Sequence, residues 1–102
     1  MYLFNTTFVV ENSELAWWRN WMRLIYLPTF TDLLPRVENE IFQLDDNGQV
    51  PGSTTFSCQW RCSTLQELGV IDKYSQILHA RLAELKDDAC LFFSTMMKSV
   101  DL

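Results

Sequence analysis

The chain has 102 residues, 48% of them hydrophobic and 14% aromatic, with thirteen acidic against eight basic side chains and a net charge of −5. That balance leaves no basic surface to displace counterions from phosphates and no polybasic run for an anionic membrane, so neither a nucleic acid nor a membrane is an expected partner. The length suits one domain over 1–102, able to bury roughly 65% of the surface its unfolded form exposes. No apolar run is long enough to span a bilayer, and the opening MYLFNTTFVV lacks the basic start of a signal peptide. A soluble, cytoplasmic protein is expected.

Tyr2 to Val10 reads as a first strand, with Tyr2, Phe4, Thr6, Phe8 and Val10 on one face and Leu3, Asn5, Thr7 and Val9 on the other. Glu11, Asn12 and Ser13 break the run, and Asn12 or Ser13 is placed to cap a helix from Glu14. There the period changes. Leu15, Trp18, Met22 and Ile25 keep helical spacing, Trp17, Trp21 and Leu24 widen the band, and Arg19, Asn20 and Arg23 take the opposite side. Pro28 should end this helix near Leu27, because the residue before proline is pushed out of the helical region. Thr29 to Leu34 is then a separate helical turn.

Arg36 to Asp45 reads as a second strand whose Arg36, Glu38 and Glu40 give it the character of an edge. The turn-rich DDNGQVPG, with its Asn47-Gly48 hairpin signal, leads into STTFSCQWRCS. That stretch alternates throughout: Thr54, Phe56, Cys58, Trp60 and Cys62 face one way, Thr55, Ser57, Gln59 and Arg61 the other. Cys58 and Cys62 are four residues apart, roughly 13 Å in a strand, too far to bridge or to chelate one metal. With an odd total of three cysteines, buried reduced thiols are the expectation.

Ser63/Gln66 and Thr64/Glu67 both fit the capping-box spacing for a second helix. Its stripe is Ile71, Leu78, Leu82 and Leu85, adjoined by Leu68, Tyr74 and Ser75, with Gly69 a weak point and Lys86 to Asp88 a close. Cys90 to Val100 is a fourth strand, apolar on both faces. The order strand, helix, strand, strand, helix, strand points to an α+β fold. With right-handed crossovers and a central hairpin, the economical form is a ferredoxin-like βαββαβ sheet of four antiparallel strands with both helices on one face.

Taken together, YLFNTTFVVE, the Trp21-Met22 pair, Leu27-Pro28, TTFSCQWRC, His79 and the closing FSTMM resemble an uncharacterised bacterial domain-of-unknown-function family of about this length. The resemblance covers essentially the whole chain. It implies a fold of the dimeric α+β barrel type and a homodimer, but no activity and no cofactor. Where this chain has Phe4, Phe56 and Trp60, family members commonly carry Tyr, and a basic residue stands where Ser94 does.

The sheet face away from the helices then carries Asn5, Thr7, Ser57, Gln59, Arg61 and Thr95, beside Phe93. Buried polar groups must be hydrogen-bonded, so these six are candidates for a subunit interface or a small-molecule site. Of the six, Asn5, Gln59 and Thr95 also match the resembled pattern. His79, the sole histidine, flanks the second helix's stripe. It is the one candidate general base, although a lone helical histidine is more often a boundary residue between the apolar stripe and solvent. No metal motif, glycine-rich phosphate loop or nucleophile elbow occurs. The readings that remain are a homodimeric small-molecule-binding or interaction module and a cofactor-independent enzyme of the small monooxygenase or isomerase kind. An RNA-binding sheet is excluded by charge and by the absence of the basic-glycine-aromatic pattern.

Overall fold

A computed structural model describes residues 1–45 and 51–102. Four antiparallel strands, β1 (Tyr2–Glu11), β2 (Glu38–Gln43), β3 (Ser53–Cys62) and β4 (Cys90–Lys98), make one sheet in the order β2-β3-β1-β4. The second strand is shorter than the expected 36–45, and the fourth ends at Lys98 rather than Val100. All six β2 residues are exposed, as its charged edge character implied. The Asn47-Gly48 turn lies outside the described residues. At the entrance to β3, Gly52 has φ +81°, a conformation that needs glycine, and its carbonyl accepts from Asn12 N–H at 2.9 Å.

The first helical layer differs most from the sequence reading. A 3₁₀ turn over Asn12–Glu14 leads into α1 (Leu15–Trp21), a π-helical segment (Met22–Tyr26) and α2 (Leu27–Leu33), which run end to end as one helix. No side chain caps its start, because the Asn12 carboxamide oxygen accepts from Thr54 Oγ1 at 2.7 Å instead. Nor does Pro28 stop it: Leu27 keeps helical angles of −62° and −45°. Proline lacks the N–H that an α-helix would aim four residues back. Here the ladder has already widened, with Leu27 N–H donating to Met22 O, and Thr29 Oγ1 donates to Ile25 O at 2.7 Å. The wider turn shifts the buried face by one residue. Tyr26 and Phe30 follow Trp18 and Met22 inward, while Ile25, expected in the core, is 48% exposed.

The last helix, α3 (Leu65–Lys86), starts with the Thr64/Glu67 capping box: Glu67 N–H donates to Thr64 Oγ1 at 3.1 Å and Thr64 N–H to Glu67 Oε1 at 3.2 Å. It runs through Gly69 and buries Leu68, Ile71, Ser75, His79 and Leu82. Leu85, counted in the stripe from the sequence, is 54% exposed. At the far end Lys86 Nζ lies 2.8 Å from Glu14 and 4.5 Å from the Trp17 ring centre, tying the end of α3 to the start of α1.

Phe8 joins the layers. Its ring centre is 5.4 Å from Trp18 and 5.6 Å from Tyr26 of the first helix, and 5.7 Å from His79 of α3. Both helices therefore cover the same face of the sheet, the one carrying Phe4, Phe8, Phe56, Cys58, Trp60 and Cys62. Trp18 stacks on Phe56 at 4.4 Å, and Phe30 leans on Trp60 at 4.9 Å. Burying one such side chain contributes about 1.5–3 kcal/mol, so these rings dominate the core.

Candidate functional site

The strand registers place four rows of side chains across the face that no helix covers. Glu38, Arg61, Leu3 and Met97 form the first, Glu40, Gln59, Asn5 and Thr95 the second, and Phe42, Ser57, Thr7 and Phe93 the third. The fourth runs from Leu44, whose N–H donates to Thr55 O, through Val9 to Leu91. Four of the six polar residues expected here are brought together in one hydrogen-bonded chain. Gln59 Nε2 donates to Ser57 Oγ at 3.3 Å, Ser57 Oγ to Asn5 Oδ1, and Asn5 Nδ2 to Thr7 Oγ1 at 3.3 Å. The other two stand outside it. Arg61 reaches diagonally to Glu40 at 3.6 Å, and Thr95 sits opposite Asn5 in the register but takes no part in the chain.

Around this polar line the face is apolar and open. Phe93 is 60% exposed and Leu91 51%, and Met97, Phe42 and Leu44 are exposed as well. Four of the six polar side chains are thus bonded to one another within one chain, while the apolar rim is exposed among the described residues. A cleft of about 270 Å³ at one end of the face is lined by Met1, Leu3, Arg61, Met97, Lys98 and Ser99.

His79 is not the boundary residue its spacing suggested. It is only 6% exposed, and its Nε2 lies 3.0 Å from the Tyr26 hydroxyl. The two rings stack at 5.6 Å, Phe92 lies 4.7 Å away and Phe8 meets the imidazole edge-on. Burial lowers the His79 pKa from 6.5 to about 4, and burial likewise pushes the Tyr26 hydroxyl well above its ordinary value. This neutral imidazole is walled by three rings, its Nε2 is taken by the Tyr26 hydroxyl, and none of the described clefts is lined by it. Tyr26 was the partner the sequence reading missed. Its signal was the i+4 series Met22, Tyr26, Phe30, which an assumed helix stop at Pro28 concealed.

The three cysteines are free and buried, as expected. Burial raises Cys58 to about 12 and Cys62 and Cys90 to about 11, the opposite of what a nucleophilic thiol needs. Asn39 Nδ2 donates to Cys58 Sγ at 3.4 Å. Among the described residues no group of three or more His, Cys, Asp or Glu is placed to hold a metal, and no helix is long and apolar enough to cross a membrane.

A family model described as a domain of unknown function, DUF4286, matches residues 1–100. The chain belongs to that family. The resemblance carried by YLFNTTFVVE, TTFSCQWRC and FSTMM is thereby borne out, and membership of DUF4286 brings no established activity. No curated protein matches the chain. Among solved structures the de novo designed protein Foldit4 is similar, with a TM-score of 0.66 over 97% of this chain and 98% of that one. At 12% identity that likeness concerns the fold alone.

Proposed function

We propose that this DUF4286 chain is a single ferredoxin-like domain that acts as a cytoplasmic homodimer of the dimeric α+β barrel type, a binding or interaction module without chemistry of its own. One observation carries the reading: the uncovered sheet face combines a polar line bonded within the chain with an exposed apolar rim of Phe42, Leu44, Leu91, Phe93 and Met97. A second copy laid on that face would shield the rim and bring its own polar side chains to the donors and acceptors that the chain Gln59–Ser57–Asn5–Thr7 leaves over. Three strands of nine or ten residues and the six-residue edge strand β2 make a face about 20 Å across and up to about 30 Å long, somewhat under the ~800 Å² that each partner gives to a standard interface. The order β2-β3-β1-β4 and the shared side of the two helices support the ferredoxin-like description. The reduced, buried thiols suit a reducing compartment.

Light scattering at micromolar concentration tests this. The expected mass is twice the 12.0 kDa of one chain, falling to a single chain in Phe93→Glu. A wild-type monomer would contradict the proposal. No observation favours the enzyme reading, because its candidate base, His79, lies sealed among Tyr26, Phe8 and Phe92.

A further inference from the structure

On the helix side of the sheet, the first helix stops short of the edge strand. β2 presents Ile41 and Gln43 to that side, opposite Cys58 and Phe56 of β3, yet both remain exposed. The gap between β2 and the first helix is a cleft of about 410 Å³, within the 300–1,000 Å³ typical of small-molecule sites. Its apolar lining includes Trp18, Met22 and Phe56, which are 3%, 3% and 5% exposed. The Trp18–Phe56 stack gives it a rigid aromatic surface.

The polar lining has one sign. Arg19 and Arg23, a helical turn apart, both line the cleft, and among the described residues no Asp or Glu does. In a chain of net charge −5 these two cations have no carboxylate partner among the described residues. The ion pairs of the described residues are Arg61–Glu40 and Lys86–Glu14, and Arg23 donates only to Asn20 Oδ1, at 2.7 Å. A planar guanidinium is the side chain best suited to gripping a carboxylate in a two-point contact.

We propose that this cleft binds a small organic anion, a carboxylate on an aromatic or short aliphatic body, with the body against Trp18, Met22 and Phe56 and the carboxylate between Arg19 and Arg23. The site deepens the binding-module reading but does not depend on the dimer. The cleft lies on the helix side and the proposed subunit contact on the other, so oligomeric state and cleft occupancy are measured separately.

The test uses the full ¹⁵N-labelled chain titrated with 2-naphthoate and with the neutral 2-naphthamide. Naphthoate should bind about tenfold or more tighter than the amide, since only it makes charge-assisted hydrogen bonds. It should move the Trp18 indole N–H resonance and leave that of Trp60, which does not line the cleft, in place. The double variant Arg19→Gln/Arg23→Gln changes exposed side chains only and should weaken naphthoate binding about tenfold, to the level of the amide. Ile41→Glu, which puts a carboxylate of the ligand's own sign into the cleft, should abolish it. Equal affinity for the two probes, no binding of either, or full binding by the double variant would overturn the proposal. So would shifts centred on Leu91 and Phe93 of the opposite face.

Discussion

On the helix side of β1 and β3, Phe4, Phe8, Phe56 and Trp60 are each at most 5% exposed, whereas on the other side of the same strands Asn5, Thr7, Ser57 and Gln59 are only half-buried. Alternation in a strand sends neighbours to opposite faces, so one stretch of sequence supplies both. The inner face is closed by rings packed on rings and uses hydrogen bonds sparingly, chiefly the Tyr26–His79 pair. The outer face is closed by hydrogen bonds within the sheet and leaves its apolar groups in water. The first arrangement completes a fold. The second links its polar groups to one another and leaves its apolar ones exposed, which is the condition for meeting another surface.

Substitutions can break that contrast. The largest effect is expected from Phe8→Ala, which removes the ring touching Trp18, Tyr26 and His79 and should cost about 3–5 kcal/mol in urea unfolding. Phe93→Ala, the same change on the outer face, should alter the stability of the isolated chain by no more than about 0.5 kcal/mol. Equal losses from the two would erase the distinction between the faces.

The next effect is one of pH. The folded chain holds His79 neutral down to about pH 4, whereas the unfolded chain protonates it near 6.5. Between those values the unfolded state binds the extra proton. Stability is therefore full above about pH 6.5 and declines as pH falls toward 4, by up to about 3 kcal/mol. Urea midpoints at pH 7 and pH 4.5 should converge in His79→Gln relative to wild type. An unchanged difference would mean that the imidazole titrates as if exposed.

Smaller still is Tyr26→Phe, which leaves His79 Nε2 buried without its partner and should cost about 1–3 kcal/mol. Asn5→Ala on the outer face, which removes the acceptor for Ser57 and the donor to Thr7, should cost only about 0.5–1.5 kcal/mol, because the remaining groups can turn to water. A larger loss from Asn5→Ala than from Tyr26→Phe would mean that the outer polar line carries more of the fold than its exposure indicates.

What could be read from the sequence follows the range of the physics. The alternation of STTFSCQWRCS and the Thr64/Glu67 box are local patterns, and β3 and the start of α3 reproduce them. The first helix was not readable in the same way. Pro28 is a strong local stop signal, but tertiary burial of Tyr26 and Phe30 holds the helix beyond it, with a π segment absorbing the missing bond. Asn12 and Ser13 are both cap candidates by their neighbours in sequence, and Thr54, forty-two residues away, takes the Asn12 side chain instead. The six polar residues of the outer face were placed correctly by alternation alone. Which four of them bond to one another depended on strand register, which alternation does not fix. His79 looked like a boundary residue for the same reason that Tyr26 was overlooked: its partner lies on another element.

Met96 and Met97 give the most direct test of the division between faces. They are adjacent in β4 and comparably exposed in one chain, at 54% and 43%, yet Met96 stands opposite Phe4 on the helix side and Met97 opposite Leu3 on the uncovered side. Broadening of their methyl signals by a soluble nitroxide can be followed from low to high protein concentration. The account predicts that Met97 becomes protected as the chain dimerises while Met96 stays as accessible as before. Equal broadening of both methyls at every concentration, or protection of Met96 alone, would contradict it.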